Sequence, residues 1–205
     1  MKKVLSQLFL ILFAQALYAE FPQRNFYFMR HAETQQNHDR VAQGNLDTSL
    51  NSTGVKQAKK IARALKNKGI TCVITSKLER ARVTGEIIAR KLGVPLVTFD
   101  NLRGRSKGIM NGKPFGEWVQ EWKVDKLIIP GAEKSQEFHD RIIGCIQDIL
   151  MRFPGPILII SHGDTGPALS KETHTHYTKT AINAFPLFFE APKHDNDTWK
   201  VYQVA

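Results

Sequence analysis

Two apolar runs, each ending abruptly in a histidine, constrain the fold of this chain more than any other feature. Phe26-Tyr27-Phe28-Met29 runs into Arg30-His31, and Ile157-Leu158-Ile159-Ile160 runs into Ser161-His162-Gly163. A strand that is apolar at every position, not only at alternate ones, is buried on both faces, the pattern of a parallel sheet covered by helices. In open α/β sheets, ligands bind beyond the carboxyl ends of the strands. The two histidines, far apart in sequence, are therefore predicted to meet in one crevice. Arg30, beside the first, predicts that an anion is held there.

The intervening sequence alternates between the same two patterns. A strand is expected over residues 25–29, followed by a long polar loop over 31–53. Thr53-Gly54 opens a helix with Val55, Ala58, Ile61, Ala62 and Leu65 at helical spacing, and Lys68-Gly69 closes it. A second strand over 71–75 precedes a helix over 79–92, which is stopped by Gly93. Pro95 starts a short strand reaching Phe99. Residues 100–116, with four glycines and several cations, read as loop, and a Trp-bearing helix is expected near 115–124. A long helix over 133–152 carries Phe138, Ile142, Cys145, Ile146, Ile149 and Leu150 on one face, and Pro154-Gly155-Pro156 breaks it. After the second histidine strand come a short helix near 165–171 and two late strands, over 182–190 and 198–203. Strands alternating with helices predict a three-layer αβα domain with a mainly parallel sheet.

The amino terminus stands apart from this pattern. Lys2-Lys3, an apolar run from Leu8 to Leu17, and Tyr18-Ala19-Glu20 have the form of a secretory signal peptide cut near Ala19. The run is short for a membrane span, which needs about 20 apolar residues. The expected organisation is a signal peptide over 1–19 and one domain over 20–205, in a periplasmic or secreted protein with no stable membrane insertion after cleavage. An uncleaved amino-terminal anchor is the alternative.

The formal net charge of +10 favours anionic ligands. The cations are spread over Lys56 to Arg105 instead of massed in one tract, and no recognised nucleic-acid motif is present. A small phosphorylated ligand is expected, not nucleic acid. Oligomeric state is unreadable. In an exported protein the two cysteines, Cys72 and Cys145, invite a disulfide, but both lie in apolar patterns, and buried free thiols are expected. His174-Thr175-His176 in a polar loop reads as surface, and no cluster suggests a metal site. Trp118 and Trp122, four residues apart, either face one pocket or pack a helix edge.

Five motifs in order resemble the histidine phosphatase superfamily, in its phosphoglycerate mutase-like branch. They are Arg30-His31-Ala32-Glu33-Thr34 with Asn37; Asp47 to Asn51 with Gly54 and Gln57-Ala58; Ser76-Lys77-Leu78-Glu79-Arg80-Ala81 with Thr84; Gly131 with Glu133, Ser135, Glu137 and Arg141; and Ser161-His162-Gly163. The resemblance covers about residues 25–185. It implies that His31 is the nucleophile and takes the phosphoryl group as a phosphohistidine. It also implies that Arg30, Arg80 and His162 clamp the phosphate, with Asn37 as a further donor. The chemistry is coherent on its own terms. Phosphoryl transfer is mostly positioning plus stabilisation of oxygen charge, and Arg supplies rigid bidentate donors. A neutral imidazole is a competent nucleophile when its other nitrogen is held. No metal or other cofactor is called for.

One part of the pattern is missing. The family places a general acid Glu in the middle loop, and the spacing of Leu102-Arg103-Gly104-Arg105 puts Gly104 there. General acid catalysis contributes about 10²–10⁴-fold. Asp164, two residues after His162, is one substitute, with helix capping as its other reading; Glu33 and Glu117 are weaker candidates. The expected function is an exported phosphomonoesterase with catalytic His31, His162 and Asp164. A phosphate-binding relic without catalysis is the alternative, and a basic protein acting on anionic lipid or nucleic acid is a third. The loop cations Arg103, Arg105, Lys107 and Lys113 predict a preference for polyanionic phosphates.

Overall fold

The computed structural model describes residues 21–176, 182–194 and 196–204. The signal-peptide reading of residues 1–19 lies outside the described residues.

Six strands form one mixed sheet: β1 Phe26–Arg30, β2 Cys72–Ser76, β3 Leu96–Phe99, β4 Ile157–Ser161, β5 Leu187–Glu190 and β6 Lys200–Gln203, in the order β3-β2-β4-β1-β5-β6. The first four are parallel, and the last two run antiparallel along one edge. The helices are α1 Gln35–His38, α2 Ser52–Ala64, α3 Glu79–Leu92, α4 Trp118–Lys123, α5 Ser135–Arg152 and α6 Thr165–Glu172. The chain therefore has the three-layer αβα architecture, with a sheet that is mostly parallel.

Alternation along the apolar strands sends successive side chains to opposite faces. Phe26 and Phe28 join Ile74, Ile157 and Ile159 under the α5 residues Phe138, Ile142, Ile146 and Ile149. Tyr27 and Met29 join Val73, Leu158 and Ile160 under Ala58, Ile61 and Ala62 of α2 and Ala81 and Ile88 of α3. Both faces are thus buried, which is why β1, β2 and β4 lack polar alternation. The antiparallel edge pair β5–β6 is partly exposed on β6, and its weaker pattern matches that position. Cys72 and Cys145 sit in the same core layer as buried free thiols.

Several boundaries differ from expectation, among them the late strand expected over 182–190, which is only Leu187–Glu190, and three of the differences have clear local reasons. The polar loop over 31–53 contains α1, because Thr34 and Asn37 form a reciprocal capping box that closes one short turn. Helix α2 begins at Ser52, one residue early, because Asn51 Oδ1 accepts from Gly54 N at 2.8 Å. It stops at Ala64, before the expected Lys68-Gly69, because Asn67 and Gly69 both take positive φ. Gly54 is required by close approach: a Cβ there would lie 2.1 Å from the Glu33 carbonyl oxygen. This contact seats α2 directly on the segment that follows His31.

Candidate active site

Parallel pairing sets the site. In register, Arg30 lies opposite Ser161, and His31 N donates to Ser161 O at 2.9 Å. β4 lies between β1 and β2, so His31, Ser76 and His162 all emerge at one carboxyl edge. The rings of His31 and His162 are 5.2 Å apart, centroid to centroid. Both residues are buried, at 2 % and 3 % exposure.

The hydrogen bonds assign the His31 tautomer. Its Nδ1 lies 2.8 Å from the Ala32 carbonyl oxygen. A carbonyl only accepts, so Nδ1 carries the proton and Nε2 keeps its lone pair. Arg80 Nε donates to that lone pair at 3.2 Å. Burial pushes the His31 pKa well below its ordinary 6.5, and the charges of Arg30 and Arg80 push it the same way. The ring is therefore neutral across the physiological range. His162 is also held well below 6.5, by burial and then by Arg80, His31, Arg30 and Lys107. Its Nε2 meets Ser76 Oγ at 2.8 Å, while its buried Nδ1 has no hydrogen-bond partner among the described residues. A buried imidazole nitrogen beside three cations is a position for an anion's oxygen.

The cations are built in, not loosely placed. Arg80, in the first turn of α3, is 2 % exposed. It donates to Leu46 O at 2.6 Å and to Gly44 O at 2.8 Å. Its pKa falls to about 10, through burial and then Arg30, with Asp47 opposing. Arg30 is also lowered, by burial, with Asp164 opposing. An ideal Cβ on Gly163 would lie 3.6 Å from the Arg30 guanidinium carbon, which packs against this turn. Asn37 Oδ1 accepts from Thr34 N at 3.3 Å and from Asn183 Nδ2 at 3.1 Å, which fixes the Asn37 amide. Asn183 Nδ2 also donates to His31 O at 2.8 Å.

All of Arg30, His31, Asn37, Arg80, His162 and Asp164 line one cavity of about 660 Å³, and Gly104 lines it too. The structure brings the residues named from the sequence to this one cavity. A Cβ at Gly104 would lie 3.3 Å from His162 Cγ and 3.3 Å from Gly44 O. A side chain there would start in tight contact with the His162 ring and the Gly44 carbonyl, so Gly104 leaves no acid beside His162 at this position. Asp164, the first substitute, pairs with Lys107 Nζ at 3.3 Å, and its side chain is 28 % exposed. Burial pushes this carboxyl up, but Lys107, Lys123 and Arg105 outweigh it and hold it below the ordinary range. It is an ionised carboxylate, poorly suited to donate a proton. Asp164 precedes α6 but makes no side-chain cap hydrogen bond, so the capping reading is not what its carboxylate does. Glu33 turns away, accepting from Asn51 Nδ2 at 2.8 Å; neither it nor Glu117 lines the cavity.

The loop cations are the main departure from expectation. Arg103 and Lys113 do not line the cavity, and Arg103 pairs with Asp100 at 3.1 Å. Arg105 is structural: it donates to Glu133 O at 2.9 Å and to Asp125 at 2.6 Å, and stacks 4.0 Å over Trp122. Only Lys107 of the four both lines the cavity and faces the histidines' side, and it is paired. Sequence reasoning missed Ser76 as a His162 partner, Asn183, and the lining cations Arg40, Lys123 and Lys171. Ser76 opens a quoted motif and was a usable signal. Asn183 is a lone amide between Ile182 and Ala184, which gives no local sign of its role. Of the two tryptophans, Trp122 is buried and lines the cavity, whereas Trp118 donates to Pro114 O at 3.2 Å. Among the described residues, no group of three or more His, Cys, Asp or Glu could hold a metal ion.

A family model described as histidine phosphatase superfamily (branch 1) matches residues 26–187. Phosphatase PhoE of Bacillus subtilis (strain 168), itself uncharacterized, is 33% identical over 145 residues, 70% of this chain and 74% of the relative. A probable phosphoglycerate mutase, GpmB, of Escherichia coli (strain K12 / DH10B) is 34% identical over 148 residues, 67% of this chain and 68% of the relative. A mycobacterial glucosyl-3-phosphoglycerate phosphatase structure superposes with a TM-score of 0.74 at 20% identity, covering 89% of this chain and 98% of that one. YhfR of Bacillus stearothermophilus gives 0.74 at 24% identity, over 87% and 95%. These two structures bear on the fold.

Proposed function

Since the chain belongs to the histidine phosphatase superfamily, branch 1, we propose that it is an exported phosphomonoesterase that works through a phosphohistidine on His31. The observation that carries this reading is the His31 tautomer. Nδ1 is anchored 2.8 Å from Ala32 O, and the neutral ring turns its Nε2 lone pair toward Arg80. In the first step, Nε2 attacks phosphorus and the ester oxygen departs with the bonding pair. Arg30, Arg80 and the Nδ1 of His162 hold the non-bridging oxygens, and Asn37 adds a fixed amide. In the second step, water attacks the phosphohistidine and Nε2 recovers its electron pair.

A phosphatase fits better than a mutase. A mutase must hold a bisphosphate long enough to reverse it, and glycolytic substrates are not expected outside the cytoplasm. The amino-terminal signal pattern supports export; recovery of a mature chain beginning at Glu20 would support it further, and an intact Met1 terminus would remove it. The second reading, a phosphate-binding relic, draws on Gly104 and on the charge-locked Asp164.

The test is hydrolysis of an aryl and an alkyl phosphate by the protein and by His31→Ala. Aryl turnover that vanishes in the variant supports the enzyme. Turnover of neither ester, with phosphate still bound, favours the relic.

A further inference from the structure

The same cavity carries, besides the proposed phosphate clamp, cations that the phosphoryl group alone does not explain. Arg40, Lys123 and Lys171 line it. Among the described residues, no carboxylate comes within 4.0 Å of any of the three side chains. Among the described residues, the cavity lining holds one carboxylate, Asp164, already paired with Lys107. Lys171 shares a helical face with Asp164, Pro167 and Ala168, all of which line the cavity, at the i, i+3, i+4 and i+7 spacing of one face. Lys123 ends α4. Arg40 sits at φ 56, an uncommon conformation for a side-chain-bearing residue. Its carbonyl is tied to Phe115 N at 2.8 Å. All three side chains are exposed to solvent, and a cavity lined by one sign of charge concentrates anions.

The second observation is that Gly104 puts no carboxyl beside the His162 ring, although a Cβ there would lie only 3.3 Å from it. The two features point to one kind of leaving group. An alkoxide is the anion of an acid about as weak as water, with a pKa near 15.7, so it needs a proton as it departs. A phosphate leaves as an anion without one, since its second pKa is about 6, but it carries charge that must be met by cations.

We propose, on the phosphohistidine reading above, that this site cleaves a terminal phosphoanhydride, with Arg40, Lys123 and Lys171 receiving the departing phosphate chain. Nε2 of His31 forms its bond to the terminal phosphorus, and the bridging P–O bond breaks with its electron pair staying on the shortened chain. Water then attacks the phosphohistidine, the P–N pair returns to Nε2, and the product leaves as orthophosphate, losing the extra proton to solvent. Neither step draws on an oxidant or on a protein proton donor. An inorganic condensed phosphate and a nucleoside polyphosphate share this chemistry.

The experiment measures kcat/KM of the full protein for tripolyphosphate, a nucleoside triphosphate, 4-nitrophenyl phosphate and glycerol phosphate. Without an acid, glycerol phosphate should trail the better anhydride by about a hundredfold or more. The two anhydrides, compared with each other, identify the source. In the Arg40→Gln/Lys123→Gln/Lys171→Gln protein, the anhydride-to-aryl ratio should fall at least about tenfold, chiefly through KM, because each cation lost removes a charged contact to the departing chain. If that variant does not fold, the three single variants give the same ratio. Glycerol phosphate matching tripolyphosphate, or an unchanged ratio in the variants, would overturn the proposal. Aryl turnover that depends on His31 without an anhydride preference overturns the anhydride reading alone. Aryl turnover that survives His31→Ala overturns the phosphohistidine reading as well.

Discussion

Arg80 Nε donates to His31 Nε2 at 3.2 Å, so one of the cavity's buried cations caps the lone pair that the proposed mechanism uses for attack. Phosphate entry must exchange this hydrogen bond for one to a non-bridging oxygen. The same movement frees the nucleophile and engages the clamp.

Arg80→Lys should therefore be far from conservative. Lysine cannot reach His31, Gly44 O and Leu46 O together, because it lacks the planar fork. The expected loss is about 10²-fold or more in kcat/KM, together with a loosened 44–48 segment. Steady-state kinetics alongside limited proteolysis checks both effects; wild-type kinetics in the lysine variant would contradict the role.

Gly104→Glu should raise alkyl phosphate hydrolysis by about 10²–10⁴-fold. The new side chain would start 3.3 Å from the His162 ring, a tight contact that the imidazole must relax by a few tenths of an ångström. Relative rates on glycerol phosphate and an aryl phosphate give the readout, and the aryl rate should gain much less. No gain on the alkyl ester would mean that position 104 is not where a proton is needed.

The histidines set a pH dependence of stability. Both have native pKa values well below 6.5, so the unfolded chain binds protons first. Their effect is nil well above 6.5 and becomes destabilising as pH falls below it. Each histidine contributes a slope of up to about 1.4 kcal/mol per pH unit. Urea unfolding at pH 7.5 and pH 5.5 should show this loss, and His162→Gln should flatten it.

Arg105→Ala should act on stability before it acts on ligand binding. The guanidinium is buried, pairs with Asp125, donates to three backbone carbonyls and stacks on Trp122. Its removal should cost about 2–4 kcal/mol. Thermal unfolding reads the cost. A fully stable variant with altered substrate preference would instead return Arg105 to the ligand-binding set expected from sequence.

The sheet was legible because burial on both faces removes polar alternation from β1, β2 and β4. That pattern also located both histidines, since the first polar residue after each run marks the strand end. The short α1 was not legible: its capping box of Thr34 and Asn37 lies in a tract whose polarity reads as loop. The clamp residues were read through motifs, but their supports were not, because Ser76–His162 and Asn183–His31 join residues 86 and 152 positions apart. The basic loop misled for a related reason. Charge in the sequence does not say which cations are consumed by structure, and Arg105 is consumed by Asp125, 20 positions away. The free wall cations come instead from α4, α6 and the segment after α1.

The most direct measurement is to quench the protein within milliseconds of mixing with a phosphate-labelled substrate and locate the label. The account predicts an acid-labile, base-stable phosphoramidate on His31 that chases away with unlabelled substrate and is absent from His31→Ala. Turnover with no label, or label on any residue other than His31, would contradict it.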